Sequence, residues 1–187
     1  PAGATAAIYP NAISPAVGSG NAGGVHTSAS TAWSTPVGNG SAYSFSSNNW
    51  SVGNYYQFST STAGFTGISV SWDQTGSGTG PRDFKLAYST DGTNFTDFYS
   101  YSLPSPAVSW SSSSTSLATK FSSDLSSVTA LDNQANVYFR LIDTSTVSIS
   151  GGTVGTAGTG RVDNFTVRGT GDQAPYVAST VPANSAT

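Results

Sequence analysis

The chain is 187 residues long with a formal charge of -3, and only 8% of its residues are charged, while Ser and Thr together fill about 30% of its positions. With no Cys, no Glu and one His, it lacks the groups for disulfides, thiol catalysis, Cys-based zinc sites and any glycosidase chemistry that needs Glu. Its six Lys and Arg residues cannot build the basic surface that holds a phosphate backbone, which excludes nucleic acid as a direct partner, and no run approaches the roughly 20 apolar residues of a membrane span.

From Pro1 to about Asn54 the chain is rich in Gly, Ala and Ser with isolated aromatics, among them Trp33, Phe45 and Trp50. No helical period is present there, so one or two short strands joined by long loops are predicted. Beyond Asn54 the pattern sharpens. Tyr56 and Phe58 alternate with Tyr55 and Gln57, and Ile68, Val70 and Trp72 alternate with Ser69 and Ser71, the period of two of a half-buried strand. The Gly-rich stretch 75–81 reads as a loop. Phe84, Leu86 and Tyr88 then form a strand that Asp91-Gly92 turns back into a hairpin partner, Phe95 to Tyr101, with Tyr99 and Tyr101 on one face and Phe98 on the other.

The serines around Trp110 read as a loop or an edge strand, Leu117 to Leu125 as a weak strand, and Leu125 to Asn136 as a short helical turn. Val137, Phe139 and Leu141 mark a central strand, and a second Gly-rich loop, 151–160, leads to a last strand, Arg161 to Arg168. Strands at this spacing, with no helix of useful length, predict an all-β fold. It is an antiparallel two-sheet β-sandwich of the jelly-roll type over residues 1–169.

Three blocks carry a resemblance: Gly53 to Phe58; Ser77 to Pro81 with Phe84 and Tyr88-Ser89-Thr90-Asp91-Gly92; and Asp124 to Val128 through Val137 to Leu141 to Gly160-Arg161-Val162-Asp163-Asn164-Phe165. Together they resemble the jelly-roll modules of large exported bacterial proteins, which include surface-anchored proteins and multidomain extracellular nucleases. The resemblance implies the fold and an extracellular or cell-surface location, and no single activity. Residues 170–187 are expected to be a linker and the first strand of a following domain, because Ala174 to Thr187 is similar to the opening of bacterial Ig-like repeats. The chain is then a piece of a longer protein.

Catalytic constellations are thin. His26, the one imidazole, lies in a Gly-rich stretch with no nucleophile elbow and reads as a solvated loop residue, and Asp83, Asp91 and Asp97 fall at strand ends and turns, where Asp bonds nearby backbone. For a metal, calcium is the expected ion and Asp163-Asn164 the pair to hold it. Strand parity puts Asp163 on the core side with Phe165 and Val167, where its charge must be met by an ion, by Arg140 or Arg161, or by loop amides. For a ligand, sugars stack on aromatic rings beside amides and carboxylates, so Trp50, Trp110, Tyr99 and Tyr101 are the expected glycan-binding residues.

The sequence therefore points to a noncatalytic extracellular binding module with polysaccharide as its ligand class. Two alternatives stand beside it: a structural subunit that self-associates by adding the C-terminal segment to a neighbour's sheet edge, and an accessory domain of a larger secreted enzyme such as a nuclease.

Overall fold

The structure is a computed structural model that describes residues 15–171. Ten strands are present: β1 (Asn21–Val25), β2 (Trp33–Ser34), β3 (Phe45–Ser47), β4 (Tyr55–Thr60), β5 (Phe65–Gly76), β6 (Asp83–Ser89), β7 (Thr96–Ser102), β8 (Lys120–Asp124), β9 (Val137–Asp143) and β10 (Gly160–Gly171). They form two five-stranded sheets of order β1-β4-β9-β6-β7 and β2-β3-β10-β5-β8, and every pairing in both is antiparallel. The only helical pieces among the described residues are single 3-10 turns at Leu117–Thr119 and Thr129–Leu131. No helix there is long and apolar enough to cross a membrane.

Each alternation read from the sequence becomes one wall of the core. Tyr56 and Phe58, Phe139 and Leu141, and Phe84 and Leu86 face inward from the first sheet; Ile68, Val70 and Trp72 meet them from the second, all buried. Across the gap Phe58 lies flat on Phe165, centroids 3.7 Å apart and planes 1° from parallel. Side chains of this size contribute about 1.5–3 kcal/mol each when fully buried, and in a chain without Cys these rings hold the sheets together. β9 occupies the centre of the first sheet, as predicted. The last strand runs past its expected end at Arg168, because Thr170 and Gly171 still pair with Thr66 and Phe65. The expected Ig-like strand at 174–187 lies outside the described residues.

Two titratable groups are drawn into the packing, His26 partly buried and Asp143 fully so. His26 is not a solvated loop residue: it is wedged between Trp33 and Trp50, at centroid distances of 4.8 and 4.3 Å. Burial there lowers its pKa to about 4, against weaker opposing bonds to the backbone of Asn48 and Asn49. Asp143 continues the inward row of β9 behind Leu141 and is 1% exposed. Its Oδ1 takes a 3.3 Å bond from the Ser145 amide, and its Oδ2 is buried with no partner among the described residues. Burial raises this carboxyl to about 6; the Ser145 amide opposes that rise and the charge of Asp83 adds to it.

The two groups pull stability in opposite directions over one pH window. A lowered His pKa means that the unfolded chain takes up the proton first, so stability is lost as pH falls from about 6.5 toward 4; a raised Asp pKa means that the fold takes it up first, so stability is gained as pH falls through about 6. Thermal unfolding between about pH 4.5 and 6.5 should therefore separate the variants. His26→Gln should melt higher as the pH falls, Asp143→Asn should melt lower, and the parent should lie between them with the flattest profile.

Candidate functional site

The expected aromatic ligand set divides once side chains are placed. Trp50 is 5% exposed, its indole N–H donates to the Ser47 carbonyl at 2.9 Å, and Tyr56 and Phe84 pack edge-on against it. Trp110 is equally deep, with its N–H on the Thr119 hydroxyl at 3.0 Å. Tyr101 is core as well: its hydroxyl donates to Gln74 Oε1 at 2.6 Å, and burial holds its pKa well above the ordinary phenol value. None of these three rings has a face open to a sugar, because each found a polar partner inside the fold.

Tyr99 differs. It is 43% exposed on β7, which forms the free edge of the first sheet. Its ring stacks with that of Tyr101, centroids 5.8 Å apart and planes 9° from parallel, so an exposed ring is held in a fixed orientation at the edge. Phe98 beside it is 38% exposed and sits edge-on to Tyr88. A register shift between Leu86 and Ala87 in the β6–β7 pairing makes Phe98 an extra residue, which is why strict alternation misjudges its surroundings. The result is an aromatic shelf on the flank where β7 and β8 meet, since Tyr101 also contacts Phe121 of β8 at 4.8 Å.

Asp163 is buried as expected, but on the other face. Asn164 has a φ of 51° and forms a bulge, so that Asn164 and Phe165 together oppose Trp72. The bulge restores Phe165 to the core and leaves Asp163 on the outer face, directly across from Asp73. A loop, 36–44, closes over the pair. Asp163 Oδ2 accepts from the Asn39 amide at 2.8 Å and the Ser41 hydroxyl at 2.7 Å, and Oδ1 from the Asn164 amide at 2.8 Å. Asp73 Oδ2 accepts from the side-chain amides of Asn39 and Asn164 at 3.0 and 2.8 Å, with Lys120 Nζ 3.8 Å from its Oδ1. The Asn39 side chain can lie only one way round, because its Oδ1 receives the Ser116 amide at 2.7 Å.

Sequence reasoning missed Asn39 and Asp73, whose partnership spans long separations in the chain. Loop amides, the last of the three compensations expected for Asp163, are in place, while Arg140 is elsewhere, its guanidinium sandwiched by Tyr55 and Phe95. Calcium fits this arrangement poorly. The ion takes six to eight oxygens, whereas here N–H and O–H donors point at the carboxylates, and among the described residues no group of three or more acids or His could hold a metal. The acids weighed for catalysis have local duties: Asp83 binds Arg82 at 2.9 Å with Ser102 and Ser145, Asp97 binds Lys85 at 2.8 Å, and Asp91 caps its own turn through Thr93 and Asn94.

No known protein family and no curated protein matches the chain. Among solved structures it is similar to a cleaved adhesin domain of the Lys-gingipain of Porphyromonas gingivalis, with 10% identity, 80% of this chain and 91% of that one covered, and a TM-score of 0.50. TmCBM61, solved with β-1,4-galactotriose, aligns at 10% identity over 81% of this chain and 88% of its own, with a TM-score of 0.41. A CBM35 from Cellvibrio japonicus Abf62 aligns at 18% identity over 80% and 97%, with a TM-score of 0.35. The likeness to the adhesin domain is one of fold, a β-sandwich.

Asp163→Ala should lower stability by about 2–4 kcal/mol, because two amides and a hydroxyl lose their buried acceptor. Gly38→Ala should be costly as well, since its Cβ would fall 2.2 Å from Asp163 Oδ2 and 2.7 Å from the Tyr43 carbonyl oxygen. Denaturant titration measures both. The melting temperature of the parent should not move on treatment with a chelator, and a fall reversed by calcium would show an ion where the amides now sit.

Proposed function

We propose that the protein is a noncatalytic, extracellular carbohydrate-binding module that holds polysaccharide by stacking on the Tyr99 shelf. The observation that carries this reading is the Tyr99 ring, stacked on Tyr101 and 43% exposed at the sheet edge. A pyranose presents an apolar face to such a ring, and the contact needs no rearrangement because the packing beneath Tyr99 is already set. The commitments of the groups weighed for catalysis support the noncatalytic reading. His26 is held neutral between two tryptophans, and Asp83, Asp91 and Asp97 are committed to ion pairs or turns.

Polysaccharide retention tests the reading. On a glycan array or in affinity gels, the parent should bind at least one plant, algal or bacterial glycan. Tyr99→Ala should weaken that binding by about tenfold, as loss of an aromatic contact of 1–1.5 kcal/mol would, with the melting temperature unchanged because the side chain is exposed. Binding to no glycan, or equal binding by Tyr99→Ala, would remove the shelf as the site.

A further inference from the structure

The outer face of the second sheet carries a feature that the shelf does not use. Across β10, β5 and β8 the register sets three rows: Arg168, Ser69 and Asp124; Thr166, Ser71 and Ser122; and Asp163, Asp73 and Lys120. The central strand contributes only small hydroxyl side chains to the first two rows, while longer side chains stand on both flanks. The face is therefore hollowed along β5 into two contiguous depressions of about 260 and 390 Å³, which share Ser71, Ser122, Thr166 and Arg168. From Ser69 to Asp73 the trough is about 14 Å long at the usual strand rise.

Its chemistry is specific. The hydroxyls of Ser69, Ser71 and Ser122 make no side-chain hydrogen bond among the described residues, nor does the exposed guanidinium of Arg168. Arg82 and Lys85 are bound in close ion pairs at 2.9 and 2.8 Å, whereas Lys120 stands 3.8 Å from Asp73, so the two least committed cations outside Arg140 and Arg161 flank one trough. Each end sets a cation against a carboxylate, Arg168 against Asp124 and Lys120 against Asp73, and Asp163 adds a third acid to the last row, so the trough has no excess of positive charge to offer a polyanion. The backbone of β5 is already paired on both sides, which leaves nothing for an added peptide strand.

We propose that an uncharged polysaccharide chain lies along β5 in this trough, held by hydrogen bonds rather than by stacking. Its hydroxyls meet the Arg168–Asp124 pair at one end, Ser71 and Ser122 in the middle and Lys120 at the other. Shelf and trough lie on opposite sides of β8: Phe121, paired with Trp72, turns its ring inward against Tyr101, on which Tyr99 is stacked, while Lys120 and Ser122 face the trough. The inference rests on the glycan-binding reading and assigns it a second contact surface and a ligand charge class.

Affinity electrophoresis in gels containing β-1,4-galactan, xylan or polygalacturonate, with the full chain, tests it. Ser71→Trp fills the trough, and Arg168→Ala, on an exposed side chain, removes one end without touching the core. Both should weaken retention by the neutral polymers at least about tenfold, as loss of hydrogen bonds to a charged group does, and polygalacturonate should retain none of the proteins. Parental retention by both variants, or stronger retention by polygalacturonate than by the neutral chains, would overturn the trough. If Tyr99→Ala alone abolishes binding, the trough falls and the shelf stands; if the parent is retained by neither neutral polymer, the trough falls as well, and the shelf is then judged on the wider glycan array.

Discussion

Two carboxylates facing each other across one strand pair should push that pair apart, and Asp73 and Asp163 do face each other across β5 and β10. The second sheet is built around the answer to that problem. Asn39 donates to both acids at once, through its backbone amide to Asp163 and its side chain to Asp73, and Asn164 does the same from the other side. Satisfying the acids thus fixes the loop over 36–44, and that loop delivers β3 to the open side of β10. Asn39 also bonds Ser116 at both its amide and its carbonyl, which ties down the segment that leads into β8. One polar knot positions both neighbours of the long central ladder.

The part of this that could be read from the chain is the part with a period. Ile68, Val70 and Trp72, and Val137, Phe139 and Leu141, alternate without interruption, and both strands lie where alternation puts them. Alternation failed at single extra residues: Asn164 in β10 and Phe98 in β7 each insert one position, which moved Asp163 to the opposite face and gave Phe98 and Tyr99 comparable exposure. The Asp-Asn pair in a strand was a usable signal for the first, since Asn tolerates a positive φ better than most residues. Trp50 and Trp110 were misjudged for another reason. Their Ser-rich surroundings suggested solvent, yet those residues supply the acceptors, the Ser47 carbonyl and the Thr119 hydroxyl, that let an indole go inside.

The same economy appears throughout a protein with so few charges. Side-chain hydroxyls and amides take the place of ion pairs and disulfides: Tyr56 donates to the Gly160 carbonyl, Thr62 to the Leu131 carbonyl, and Thr75 to the Val108 carbonyl, each joining a strand or its flank to a distant segment. Long loops with little apolar content are held by such bonds at many points. The cost is a set of positions where nothing larger fits. At Gly158 an added Cβ would fall 2.0 Å from the Thr79 carbonyl, so the two Gly-rich loops can lie against each other only as Gly.

The clamp on Asp163 is made of neutral dipoles at contact distance. Mobile ions screen charges that lie apart in solvent, but they have little hold over a carboxylate already enclosed by amides and a hydroxyl. Only three salt bridges are present among the described residues, and the Lys120 contact at 3.8 Å is the longest of them. A sandwich built this way has little in its folded state for ionic strength to weaken. Its ordered framework should be nearly indifferent to salinity, from dilute water to brine.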